Sequence, residues 1–402
     1  MATLRKVLSP APLVALALLA TPSAATPLAA GALGEAARGA GIHVGAAVDT
    51  TDTTSQRETV AREFTSVATE NVLKWGPLSP APGVYDFSAA DPIVDQAEQE
   101  GLRIRGHTLF WDRLNGSPDW LESEVGAAPD PAARLTELMQ DHAATVVGRY
   151  SGRIDQWDVV NEPLAFGGAG FDPENFFFQT LGEDYLDIAF EAARAADPDA
   201  QLFLNETLTE LPSMFDGLIQ LVEGMQSRGV PIDGVGLQSH YFLARPDLAA
   251  LQSQLERIEA LGLLVELTEL DIPLFVFGAE PDPLAAQAQA YADVFAACVA
   301  VAACSGITTW GIDDSDTWLD SFGLTQGFAP NRPLLFDELG QPKPAYATAV
   351  DAMLAVPEPG TAVLTLFGLV GIGISGASFH TSARRGRRSA HRRGADKLQR
   401  GS

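Results

Sequence analysis

Two apolar runs in the chain each deliver a glutamate: Gln156-Trp157-Asp158-Val159-Val160-Asn161-Glu162-Pro163 and, 107 residues later, Leu264-Val265-Glu266-Leu267-Thr268-Glu269-Leu270-Asp271-Ile272. A strand buried on both faces that stops at a carboxylate sets an expensive group at the rim of a core, where it must be solvated, paired or used. Two such rims suggest a carboxylate pair. The chemistry that most often needs one is cleavage of a glycosidic bond, in which one carboxylic acid protonates the leaving oxygen while a carboxylate attacks the sugar or activates water.

Such a pair needs elements that hold it. Between residues 41 and 350 a short β-branched or apolar run, a polar loop and a longer Ala/Leu-rich amphipathic stretch recur. The pattern predicts strands at 43–48, 64–68, 103–107, 155–160, 201–205, 234–238, 263–269 and 306–312, and helices at 131–149, 183–196, 213–228, 247–260 and 284–302. Eight strands alternating with helices favour a parallel sheet closed into a (β/α)8 TIM barrel, a single catalytic domain over 31–355. A doubly wound open sheet is the competitor, but no Gly-x-Gly-x-x-Gly follows the first strand. In a barrel the residues just past each strand share one rim. Those positions are Glu70-Asn71 and Lys74, His107 and Trp111, Asn161-Glu162, Asn205-Glu206, Gln238 and His240, Glu269 and Asp271, then Trp310 and Asp313. Nearly every strand thus ends in a polar or aromatic group able to bind a sugar, whose apolar C–H face packs on a ring while its hydroxyls bond outward.

The two ends belong to export. Residues 1–30 have the parts of a secretory signal peptide: Arg5 and Lys6, an apolar centre from Ala11 to Ala20, and Ser23-Ala24-Ala25 as a cleavage site. At the other end Pro357-Glu358-Pro359 precedes an uncharged run from Thr361 to Phe379, followed by Arg384-Arg385-Gly386-Arg387-Arg388. The run is long enough to span a bilayer, with the arginines holding its end on the cytoplasmic side. This segment, 356–402, resembles the PEP-CTERM sorting signal of bacteria, which implies a membrane protease of the exosortase type as a partner, membrane contact through 361–379 and delivery to the cell surface or medium. A plain C-terminal anchor is the alternative. Residues 383–402 carry +7, so the rest of the chain carries −33 of the net −26. That surface repels nucleic acid and suits a neutral partner such as a polysaccharide. Cys298 and Cys304 are the only cysteines. In an exported protein their spacing favours a disulfide over a metal site, with two reduced buried thiols as the alternative. No His, Cys and carboxylate cluster has metal spacing, so neither a catalytic metal nor a cofactor is expected.

The ordered blocks carry a closer resemblance. Thr69-Glu70-Asn71-Val72-Leu73-Lys74-Trp75, Gly106-His107-Thr108-Leu109-Phe110-Trp111, Trp157-Asp158-Val159-Val160-Asn161-Glu162, Gly236-Leu237-Gln238-Ser239-His240, Thr268-Glu269-Leu270-Asp271, Thr309-Trp310-Gly311-Ile312 and Gln341-Pro342-Lys343-Pro344-Ala345-Tyr346 stand in sequence over residues 42–350. The chain is similar to the endo-β-1,4-xylanases of glycoside hydrolase family 10. The resemblance implies a retaining mechanism on xylan, with the two carboxyl groups about 5 Å apart. Glu162 matches the acid/base and Glu269 the nucleophile. His240 and Asp271 match groups that keep the nucleophile charged and oriented, and Asn161 the side chain that bonds the 2-hydroxyl. Glu70, Asn71 and Lys74 match a clamp for the glycone sugars, and His107, Trp111, Gln238, Trp310 and Trp318 the walls around the cleaved residue. Cys298 and Cys304 fall where many members have a short disulfide. A monomer is expected, while Trp75 and Trp120 suit core filling.

Three positions depart from the family. Asp112 follows Trp111 where His is usual, Asn205-Glu206-Thr207-Leu208 replaces Asn-Asp-Tyr-Asn, and Leu319 follows Trp318 where Arg is frequent. They bear on leaving-group binding rather than on hydrolysis itself. Cleavage of another β-1,4-glycan, or a surface polysaccharide-binding protein without turnover, are the rival functions.

Overall fold

The structure is a computed structural model, and it describes residues 28–355 apart from Ala169 and Asp316. The expected signal peptide, but for its last three residues, and the expected 356–402 sorting segment with its apolar run lie outside the described residues. Among the described residues no helix is long and apolar enough to cross a membrane.

Eight parallel strands close into one barrel in chain order: β1 (His43–Val48), β2 (Ser66–Thr69), β3 (Arg103–Phe110), β4 (Gln156–Asn161), β5 (Gln201–Glu206), β6 (Gly234–Leu237), β7 (Leu264–Leu270) and β8 (Cys304–Thr309). The ring shuts where His43 pairs with Gly306 and Ala46 with Thr309. Helices cover its outer face, so the strands are buried on both sides and read as near-continuous apolar runs.

Local signals start the helices. Asp130 caps Pro131–Arg149 by accepting from the Ala133 N–H at 3.1 Å, with proline at the first position and Arg149 in the last turn. Pro283–Ala300 repeats the device with Asp282 and Pro283. Thr54–Glu63 and Ala90–Glu100, absent from the periodicity reading, complete the units between β1 and β3. The first is polar almost throughout and shows itself only through the reciprocal bonds of Thr53 and Gln56, the Thr-x-x-Gln signature of a capping box.

Two strand ends differ most from the predicted ranges. β3 runs to Phe110 rather than 107, which places His107 within the strand. β8 ends at Thr309 rather than 312, because the chain turns at Gly311, whose φ of 135° closes the apolar run Trp310–Ile312 off from the sheet. Cys298, near the end of one helix, and Cys304, opening β8, are joined by a disulfide with Cα atoms 5.3 Å apart.

The opposite rim, at the strand starts, is held by polar contacts. Arg103 donates to Gln156 at 2.8 Å, and Gln156 donates to Glu266 at 3.1 Å. Glu266, the other glutamate of the β7 run, is spent there on structure. Only two lysines lie between residues 31 and 350, and both are buried. Lys343 is anchored by Asp314 at 2.7 Å and the Arg332 carbonyl at 2.8 Å, so its charge serves packing and not solubility.

Candidate active site

At the C-terminal ends of the strands lies an open cleft. Glu70, Asn71, Lys74, His107, Trp111, Asn161, Glu162, Gln238, His240, Glu269, Trp310 and Trp318 all line it. Of the rim residues predicted from sequence, Asn205, Glu206, Asp271 and Asp313 do not, Asp271 being buried behind His240.

The two glutamates stand in unlike surroundings. Glu269 is almost wholly buried, and its Oε1 accepts from Asn205 Nδ2 at 2.7 Å while Oε2 lies 3.0 Å from His240 Nε2. His107 Nδ1 is 4.0 Å from Oε1. Burial works against a charge here, yet the His240 bond and the charges of His107, His240 and Arg105 outweigh it and hold the carboxyl at about 2.

His240 has a carboxylate oxygen at each ring nitrogen, since Nδ1 lies 2.9 Å from Asp271 Oδ2. Carboxylates only accept, so both nitrogens must bear protons. Burial opposes that charge, but the bonds to Asp271 and Glu269 raise the imidazole to about 10. Burial also pushes Asp271 up. We place the proton of this three-group chain on His240, because Asp271 Oδ2 already accepts from Trp318 Nε1 at 2.6 Å as well.

Glu162 keeps more of its side chain in the cleft, 12 % exposed against 5 % for Glu269. Its Oε1 accepts from Gln238 Nε2 at 2.9 Å, and Arg113 Nη1 stands 3.7 Å from Oε2. A chain of amides connects the two carboxylates. Gln238 and Asn205 both donate to Asn161 Oδ1, at 3.4 and 2.8 Å, and Asn205 reaches Glu269. Asn205 in turn accepts from Thr268 at 2.6 Å. Gly236 leaves it room, since a Cβ there would lie 2.3 Å from Asn205 Oδ1.

On the far side Lys74 donates to Asn71 at 2.8 Å, and Asn71 donates to Asp49 at 2.9 Å. The Lys74 ammonium lies 4.9 Å from the Trp111 ring centroid, a cation–π distance. Burial lowers its pKa against the attraction of Glu269, Glu70, Glu162 and Asp49. Trp310 sits edge-on to His107 at 5.2 Å, and Trp318 packs on His240 at 4.9 Å. Trp75 is buried in the core and stacked on His142 at 4.3 Å, and the half-buried Trp120 packs against that core and bonds the Ser79 carbonyl at 2.7 Å.

Several site groups had no role assigned from sequence. Asn205 is one. Arg105 is another: it pairs with Asp158 and donates to the Thr268 carbonyl at 2.6 Å, while Asp158 bonds His107 at 2.8 Å. Arg105 and His107 share a strand face, and β3 pairs His107 with Asp158, so period-two parity within the strand was the available signal. Among the departures, Leu319 is fully buried and Asp112 accepts from the Phe176 N–H, so neither lines the cleft. Thr207 and Leu208 do, together with Arg113 and Leu114.

Known proteins match this arrangement. A beta-1,4-xylanase of Dictyoglomus thermophilum is 36% identical over 312 residues, covering 75% of this chain and 86% of that protein. An endo-1,4-beta-xylanase of Geobacillus stearothermophilus is 35% identical over 320 residues, covering 77% and 95%. The solved structure of native xylanase 10B from Thermotoga maritima superposes with a TM-score of 0.72 at 32% identity, covering 80% of this chain and 98% of that one. The family model for glycosyl hydrolase family 10 matches residues 32–352, and the chain belongs to that family.

Proposed function

We infer that the protein is a retaining endo-1,4-β-xylanase that cleaves internal bonds of xylan by double displacement. The observation that carries the assignment of roles is the unequal setting of the two glutamates. Glu269, held ionised by His240, His107 and Arg105, attacks C1 as the glycosidic C–O bond breaks, and Glu162 passes its proton to the leaving oxygen. Glu162, now a carboxylate on the open side of the cleft, then takes a proton from water as that water's oxygen attacks C1 and releases Glu269. Asn161 faces the 2-hydroxyl, Asp271 orients His240, and Glu70, Asn71 and Lys74 clamp the glycone sugars against Trp111. His107, Gln238, Trp310 and Trp318 wall the cleaved residue.

The purified protein should release reducing xylo-oligosaccharides from xylan, and NMR should show the β-anomer as the first product. Faster cleavage of cellulose or aryl cellobiosides, or xylan binding without turnover, overturns the reading.

The His240 contact carries a pH signature. Glu269 must be ionised to attack, and its carboxyl is held far below the ordinary glutamate value, so the acid limb of kcat/KM should lie well below pH 4. His240→Gln removes a cation and should move that limb upward by about one pH unit or more, with kcat reduced. An unmoved acid limb would show that His240 does not hold the nucleophile ionised.

Export fits the disulfide, which forms in oxidising compartments. The 1–30 leader and the Pro357-Glu358-Pro359 segment then direct export and processing by a sorting protease. Mass spectrometry of the mature chain should find a C-terminus near Pro359. A mature chain retaining Arg384 to Arg393 refutes processing and leaves the segment as an anchor.

A further inference from the structure

Glu206 ends β5 with its side chain wholly buried, and neither displacement gives it a step. Its two oxygens accept from two backbone N–H groups, Oε1 from Thr207 at 2.8 Å and Oε2 from Leu164 at 3.2 Å. Leu164 lies two residues past Glu162. The N–H of Glu162 itself donates to the Asn205 carbonyl at 2.9 Å. Consecutive residues of β5 therefore hold the backbone on both sides of Glu162.

That backbone needs holding. Glu162 has φ +52°, the left-handed region that a non-glycine residue occupies only where its surroundings fix it. Pro163 has no N–H, so the amide of Leu164 is the first one after Glu162 that any group can grip.

We propose that Glu206 is a positioning residue for the acid/base: by gripping the Leu164 N–H it fixes the left-handed turn at Glu162, and with it the direction in which the Glu162 carboxyl delivers its proton. The proposal rests on the assignment of Glu162 as acid/base. Burial, and then the charge of Glu162, push the Glu206 carboxyl well above the usual range, against the weaker pull of its two N–H donors and Arg113. A neutral carboxyl can still accept, and it sets no second negative charge behind Glu162.

A misdirected acid matters only where the leaving group needs a proton. In the full chain, Glu206→Ala should lower kcat/KM for phenyl β-xylobioside roughly 10- to 100-fold. For 2,4-dinitrophenyl β-xylobioside, whose phenolate leaves unassisted, the loss should stay below about threefold. Equal losses on the two substrates mark a merely structural role and overturn the proposal, as does no loss on either. Glu206→Gln carries the same test should the alanine variant not accumulate folded. Its single carbonyl oxygen can keep one of the two bonds, so the selective loss should be smaller but of the same kind, and equal losses overturn the proposal there too. A native chain that cleaves neither glycoside defeats the functional reading itself. A native chain that cleaves both, with a variant that loses equally on both, defeats the positioning role alone.

Discussion

Glu269→Ala should lower kcat on xylan by about 10⁴-fold or more, equivalent to roughly 5 kcal/mol of transition-state stabilisation. The loss is large because, in the proposed mechanism, the residue forms the covalent bond that divides one hard displacement into two. Its surroundings survive the change, since Asn205 keeps Asn161 and Thr268, and His240 keeps Asp271. The variant should therefore fold, bind xylan and fail only in chemistry. Truncation also opens space at the floor of the cleft beside C1. Azide added with an activated aryl xylobioside should enter there and give the α-configured glycosyl azide by a single inversion. Retention of more than about one per cent of native activity, in protein free of native contaminant, excludes Glu269 as nucleophile.

Glu269 was legible in sequence as a candidate nucleophile because the apolar run that delivers it is long, and because a carboxylate at such a place has few bland explanations. The same run showed the limit of that argument. Leu264–Leu270 carries Glu266 as well, and only the fold separates them, sending Glu266 to the strand-start rim with Gln156 and Ser305. Asn205 shows a second limit. It sits at the end of a strand like any other rim residue, and its importance lies in a contact with Glu269, 64 residues away, which depends on β5 and β6 pairing in register and on Gly236 leaving the space. Pair geometry of that kind is set by tertiary register and leaves no local mark. The left-handed φ of Glu162 was equally hidden, because a glutamate before a proline gives no sign that it departs from extended backbone.

The electrostatics of the cleft depend on such hidden groups. The body of the protein is strongly acidic, yet the walls of the cleft bring Lys74, Arg113 and the protonated His240 towards Glu162 and Glu269. Arg105 adds a further cation below the cleft, tied to Asp158 and close enough to act on Glu269. These cations are not shared evenly. His240, His107 and Arg105 act on Glu269, whereas Glu162 has a neutral amide at one oxygen and the half-exposed Arg113, itself tied to Asp172, near the other. One carboxyl is thereby committed to ionisation, and the other keeps part of its side chain open to the cleft.

That division makes Glu162→Gln the sharper test of the mechanism. The amide keeps the Gln238 bond through its oxygen, so geometry is retained while the transferable proton is lost. General acid catalysis contributes about 10²–10⁴-fold, and kcat/KM on xylan, whose leaving group is a poorly acidic sugar hydroxyl, should fall by about that factor. A 2,4-dinitrophenyl xylobioside needs no such help in the first step. The variant should release one equivalent of phenolate in a burst and then stall, because the glycosyl-enzyme on Glu269 waits for a base that is no longer there. Azide, which attacks without deprotonation, should lift the stall and yield the β-configured glycosyl azide, the product of two inversions. The same reagent thus reports opposite anomers from the two variants, α when Glu269 is removed and β when Glu162 is. Identical anomers from both, or a xylan loss no greater than the loss on the activated substrate, would show that the two carboxyl groups do not hold these roles.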